Sequence, residues 1–189
     1  MMRPYILIPY YSASGSVEKM ALYIAKGVEQ AGLEARVRRI EPIGKGDALG
    51  PLYVAKEDIA NCAGMILGSP TRFGQVAAAV RLFWDKTGDI WHSGEMIGKP
   101  GAVFTSSASM HGGQESTLLG MMMPMIHHGM LIVGIPYSEK AIHDTTKGGG
   151  PYGASTVTGD QYGHEMDGHE RDVCIALGRR LANIAKKLQ

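Results

Sequence analysis

The sequence predicts an α/β fold: a doubly wound parallel sheet of five strands with helices on both faces, in one domain over residues 1–189. Three observations carry that expectation. Short apolar runs of strand character take turns with segments whose apolar residues recur at helical spacing. Most of those runs are apolar throughout rather than alternating, as strands covered on both faces require. Three of them run into turns rich in Ser, Gly or Pro, the usual connections of such sheets.

YILIPY at 5–10 is the first strand, and 16–31 follows as a helix with Val17, Met20, Ala21, Ile24 and Val28 on one face until Gly32 stops it. LEARVRRI at 33–40 alternates, with Leu33, Ala35 and Val37 opposite charged residues, which suits a strand near a sheet edge. GMILGS at 64–69 is a third strand leading into PTRFG, and VAAAVRLFWDK at 76–86 returns to helical spacing. KPGAVFTSS at 99–107 is the fourth strand, 114–128 a Met-rich helix interrupted at Pro124, MLIVGI at 130–135 the fifth strand, and 166–187 a closing amphipathic helix. Segments 41–58 and 136–164 receive no assignment; long loops of this kind in compact domains are usually functional.

Composition narrows the function classes. With 44% hydrophobic residues, the chain can build one core without disulfide or metal staples. Its 19 basic and 18 acidic residues leave a net charge of +1 and no like-charged run, which argues against nucleic acid and anionic bilayers as partners. Cys62 and Cys174 form no CxxC motif and read as reduced thiols of a cytoplasmic protein. Neither the N-terminus nor LLGMMMPMI has the length or character of a signal peptide or a membrane span. HEMDGH at 164–169 misses the HExxH metal spacing, so no metal site is expected, and no GxSxG elbow marks a serine hydrolase.

In open parallel sheets ligands bind beyond the carboxyl ends of the strands, which brings SASGSV (12–17), PTRFGQ (70–75) and SASMHGGQE (107–115) together. The first loop precedes a helix, so its amides and the helix dipole favour an anion. It lacks the P-loop signature, has a single Gly, and contains no Lys or Arg, features that suit a terminal phosphate monoester held by hydroxyls and amides. The same serines suit an ordinary helix cap equally well. Pro70 and Gly74 turn the second loop so that the backbone of Thr71, Arg72 and Phe73 is exposed, and Gly112 and Gly113 let a flat ligand approach the third. Jointly the loops fit a flat heteroaromatic ring with a phosphate tail. His127 and His128 also read as helix-end histidines, Phe83 and Trp84 as core or subunit-interface residues, and Met121, Met122, Met123 and Met125 as adaptable packing.

YYSASGSVEKMA, GSPTRFG, VRLFWDKTGDIW, FTSSASMHGGQE, HHGM (127–130) and GGPYGAST (149–156) together resemble the WrbA-type NAD(P)H:quinone oxidoreductases, from Tyr5 to about Gly159. That resemblance implies a flavodoxin-like fold, noncovalently bound FMN, NADH or NADPH as co-substrate, two-electron ping-pong reduction of quinones to hydroquinones, and a homotetramer or dimer. It implies that Ser12, Ala13, Ser14, Gly15, Ser16 and Val17 wrap the FMN phosphate, and that Pro70, Thr71, Arg72, Phe73 and Gly74 border the isoalloxazine. Ser106, Ser107, Ala108, Ser109, Gly112 and Gly113 would edge the ring and ribityl chain. His127 is similar to the histidine beside the ring, and Trp91 to the aromatic wall on which quinone or nicotinamide stacks; these two are the expected catalytic residues. The chain departs from some relatives in having Ser14 in place of Tyr, and Met110 and His111 in a loop that is shorter and more Gly-rich elsewhere. The alternative is a non-catalytic flavodoxin-like electron carrier or regulatory protein, against which the near-neutral charge argues, because carriers gain from an acidic docking face.

Overall fold

Strand β1 (Tyr5–Tyr10) has all six residues buried because both its faces are covered. Ile6, Ile8 and Tyr10 pack into one apolar cluster, and Tyr5 and Leu7 into the other, following the two-residue period of a strand. The structure, a computed structural model, describes residues 3–44, 52–159 and 165–189. β1 pairs in parallel with β2 (Glu34–Arg39) on one side and β3 (Gly64–Arg72) on the other, and β3 pairs with β5 (Pro100–Ser107). β2 is the partly exposed edge, as its alternation predicts.

One face of the sheet carries α1 (Ser16–Gln30) and α7 (Gly168–Leu188). These helices approach closely through Gly27 and Gly178: a Cβ on either would overlap a backbone carbonyl oxygen of the other helix, Ile175 or Ile24. The opposite face carries α2 (Lys56–Ala60), α3 (Ala78–Asp85), α4 (Gly88–Ser93) and α5 (Gln114–His127). Cys62 and Cys174 are both buried, in the two different clusters, so the sheet stands between them. α1 ends as expected, with Gly32 at φ +82° just past its cap.

Several boundaries differ from the sequence expectation. β3 runs three residues beyond Ser69, through Pro70 to Arg72, and folds back as a hairpin onto β4 (Gln75–Val76), with Thr71 opposite Val76 and Arg72 opposite Gln75. The two turn residues, Phe73 and Gly74, have φ of 52° and 75°, the positive-φ geometry that matches strand twist in a two-residue hairpin. α5 passes through Pro124 instead of breaking there, since buried Met121, Met122 and Met125 hold it on the sheet past the lost hydrogen bond.

The fifth strand needs the larger correction. Only β6 (Leu131–Ile132) of the expected 130–135 run pairs with β5, opposite Pro100 and Gly101. Pro136, which has no amide to donate, helps turn the chain away. The chain returns through α6 (Ala141–Asp144) as β7 (Ala154–Val157), beside Phe104–Ser107 of β5. The fifth position is thus shared by two short strands, giving the order β2-β1-β3-β5-β6 with β7 further along β5. β7 reads ASTV, and its polar, buried residues gave no apolar pattern to detect. His164 of HEMDGH and parts of the unassigned segments 41–58 and 136–164 lie outside the described residues. No described helix is long and apolar enough to cross a membrane.

Candidate functional site

Because β1, β3 and β5 are parallel and in register, the loops after them open on one edge of the sheet. In the first, Gly15 takes φ +87°, a left-handed conformation at the start of α1, and no side chain caps the helix. The alternative reading, in which the serines of this loop cap the helix, is not what the structure shows. Ser12 is buried and its Oγ accepts from the Gly15 amide at 3.0 Å, Ser16 and Val17 point inward, and Ala13 and Ser14 are exposed. A Cβ on Gly15 would meet nothing within 4 Å, so the space beside this residue is open. The acidic residue of that turn, Glu18, is held by the Tyr10 hydroxyl, which donates to Oε1 at 2.9 Å. Burial, and then the bond to Glu18, push the Tyr10 pKa up, so its proton stays in place.

α5 begins in the same way: Gly113 stands at φ +91° with no side-chain cap. The second and third loops lock together there. Thr117 donates from Oγ1 to Thr71 Oγ1 at 2.8 Å, and Thr71 donates to the Gly112 carbonyl at 3.4 Å. Ser116 Oγ donates to the carbonyls of Gly74 and Gly113. Ser107 Oγ donates to the Ser109 carbonyl and accepts from buried Gln114 Nε2, both at 2.7 Å, which fixes the bend after β5. Pro70, Ser106 and Ser107 are buried, Gly74, Gly112 and Gly113 half-buried, and Arg72, Phe73, Ala108 and Ser109 exposed; Phe73 stands fully clear of the hairpin tip.

His127 and Trp91 are not brought to this edge within one chain. α5 starts at the loop edge and runs antiparallel to the strands, so its fourteen residues carry His127 about 20 Å away, toward the end of the sheet where Leu131 pairs with Pro100. The two residues do meet each other: Trp91 Nε1 donates to the His127 carbonyl at 2.9 Å, with both side chains exposed. They line a groove of about 590 Å³ along α5, together with Trp84, Thr87, Met123 and His128. Thr87 Oγ1 donates to the Trp84 carbonyl at 2.8 Å, so it accepts from His128 Nε2 at 3.1 Å, which sets the Nε2–H tautomer. Burial first, and then the neighbouring His127, hold the His128 imidazole below its ordinary pKa. Phe83 is buried and Trp84, half-buried, packs against the same cluster, both in keeping with the expectation; Trp84 also lines the groove.

Comparison with known proteins places this geometry. The family model described as NADPH-dependent FMN reductase matches residues 6–140. The chain belongs to that family. An NAD(P)H dehydrogenase (quinone) of Rhizobium rhizogenes is 43% identical, with 97% of this chain and 98% of the relative covered. One of the same name from Sinorhizobium fredii matches to the same extent. Among solved structures, a flavodoxin, WrbA-like protein from Agrobacterium tumefaciens superposes with a TM-score of 0.75 at 23% identity, covering 98% of this chain and 99% of that one, which establishes the flavodoxin-like fold.

For a member of the NADPH-dependent FMN reductase family, the question is whether these residues fit FMN. They do: an uncapped helix start with open space beside Gly15 suits a phosphate, and a second one beside glycine backbone suits the polar edge of a flat ring. Sequence reasoning missed the end of β7. Thr158 donates from its backbone N to the Ser107 carbonyl at 2.8 Å, and Gly159 N donates to the Ala108 carbonyl at 3.1 Å, so β7 forms a wall of the third loop. The motif GGPYGAST was the available signal, since it ends two residues before Thr158.

Proposed function

We propose that this chain is an FMN-dependent NAD(P)H:quinone oxidoreductase acting in the cytoplasm as a homotetramer or dimer. The observation that carries the cofactor reading is the pair of uncapped helix starts, at Gly15 and Gly113, opening on one edge of the sheet. The near full-length similarity to quinone dehydrogenases supports the substrates. When bound, FMN supplies the redox chemistry, taking hydride from a nicotinamide and passing two electrons to a quinone. The protein binds and orients. Ser12 to Val17 hold the phosphate through amides and hydroxyls; the Thr71–Gly74 hairpin borders the ring; Ser106 to Gly113 edge the ring and ribityl chain.

His127 and Trp91 act, in this reading, at the site of a second copy of the chain. Their distance from their own loop edge motivates it, and so does the surface around them. Leu119, Met123 and Ile126 are exposed on α5, with Leu131 and Trp91 also exposed, an apolar set of the kind that subunit contacts cover. There Trp91 stacks against quinone or nicotinamide, and His127 donates a hydrogen bond to the quinone oxygen as charge develops. Buried, unpaired Cys62 and Cys174 accord with a reducing compartment.

Anaerobic oxidation of NADH and NADPH with benzoquinone, with and without added FMN, tests the reading. Turnover that requires FMN is expected; no FMN-dependent turnover with either nicotinamide would return the chain to the electron-carrier class. His127→Ala should slow quinone reduction more than it weakens FMN binding, and equal losses would argue against its role.

A further inference from the structure

Glu170 is fully buried, yet it sits in the first turn of α7, where a capping-box carboxylate ordinarily lies at the surface and accepts a single amide. Here the carboxylate accepts four hydrogen bonds, two on each oxygen. Oε1 takes the amides of Gly148 at 3.1 Å and Val157 at 2.8 Å; Oε2 takes the Thr156 hydroxyl at 2.9 Å and the Asp167 amide at 3.3 Å. Three segments, the loop at Gly148, β7 and the start of α7, therefore converge on one side chain.

From β7 the chain continues directly into Thr158 and Gly159, whose amides hold the carbonyls of Ser107 and Ala108; the Thr158 hydroxyl adds a further bond to Ser107 at 3.2 Å. We infer that Glu170 is a positioning residue for the cofactor site: its carboxylate sets β7, and β7 sets the Ser107–Gly113 loop. The inference rests on the reading of that loop as part of the FMN site. Substitution by Gln is a sharp test because it preserves size while replacing one oxygen with an amino group. Turned toward Gly148 and Val157, that group confronts two amides and both bonds are lost; turned the other way it confronts the Asp167 amide, whose bond is lost, while the Thr156 hydroxyl can rotate to accept from it.

The experiment is titration of apoprotein with FMN by flavin fluorescence, paired with amide hydrogen exchange. Glu170→Gln should bind FMN at least about tenfold more weakly than wild type. Its exchange should quicken at Gly148, Val157, Thr158 and Gly159, while amides in the middle of α1 and α7 keep their wild-type rates. Affinity within about twofold of wild type would overturn the inference. So would exchange quickening throughout α1 and α7, which marks a general loss of stability. Should Glu170→Gln fail to fold, Thr156→Val decides: removing one of the four donors should weaken FMN binding and quicken exchange at Thr158, and no change in either overturns the proposal. Failure of wild-type apoprotein to take up FMN would instead sink the cofactor reading, and the exchange pattern would still decide whether Glu170 sets β7.

Discussion

Gly113→Ala should damage both stability and cofactor binding, and Gly15→Ala supplies its control. Both glycines have left-handed φ, +91° and +87°, where an L-side chain costs about 1–2 kcal/mol. Their surroundings differ. A Cβ on Gly15 meets nothing within 4 Å, whereas on Gly113 it falls 2.6 Å from Gly74 Cα and 3.3 Å from Gly74 N. Reaching an ordinary carbon–carbon separation requires Gly74 to withdraw by about 1 Å. Gly74 is backbone at the hairpin turn, held by Ser116, so the retreat moves the β3–β4 hairpin off the third loop. Overpacking of this kind costs about 1–3 kcal/mol more, and the variant still folds if the protein has the usual stability of about 5–15 kcal/mol. Urea denaturation of both apoproteins should place Gly113→Ala below Gly15→Ala by that extra amount, and FMN should bind Gly113→Ala at least about tenfold more weakly than wild type. Stabilities within about 0.5 kcal/mol of each other, the scatter expected between independent sites, together with unaltered FMN affinity, would refute the argument that the two loops are wedged by this contact.

Gly178→Ala places a Cβ into the Ile24 carbonyl, an overpacking cost of about 1–3 kcal/mol or more that the better helix propensity of Ala, about 1 kcal/mol, offsets only in part, so the variant should be less stable; a higher urea midpoint would contradict the close approach of α1 and α7. His128 is held below its ordinary 6.5, chiefly by burial, so the unfolded chain protonates first as pH falls. Its contribution to stability is complete above 6.5 and declines as pH drops toward the lower folded-state value; urea midpoints on either side of 6.5 should show that decline in wild type and less of it in His128→Gln. Trp91→Phe removes the bond to the His127 carbonyl, worth about 0.5–1.5 kcal/mol, and should lower kcat/KM for quinone while leaving FMN affinity unchanged; equal loss of both would detach Trp91 from the second half-reaction. Mixed oligomers of His127→Ala with a chain unable to bind FMN should reduce quinone faster, per bound FMN, than His127→Ala alone; no gain would exclude a site shared between copies.

Local chemistry made much of this protein readable. YILIPY and GMILGS are apolar on both faces because helices cover both, and Val17, Met20, Ala21, Ile24 and Val28 recur at helical spacing because one side of α1 is buried, so strands, helices and the loop edge follow from period and burial. What stayed hidden depends on partners distant in the chain. β7 is a strand because Phe104–Ser107 offers an open ladder and Glu170 receives its donors, neither of which ASTV announces. Gly15 as the uncapped entry to α1 could not be separated from serine capping until its φ and hydrogen bonds were seen. The separation of His127 from Ser12 to Val17 is set by the length and direction of α5 across the sheet: residue types specify which chemistry is present, and only tertiary geometry decides which of it shares one site.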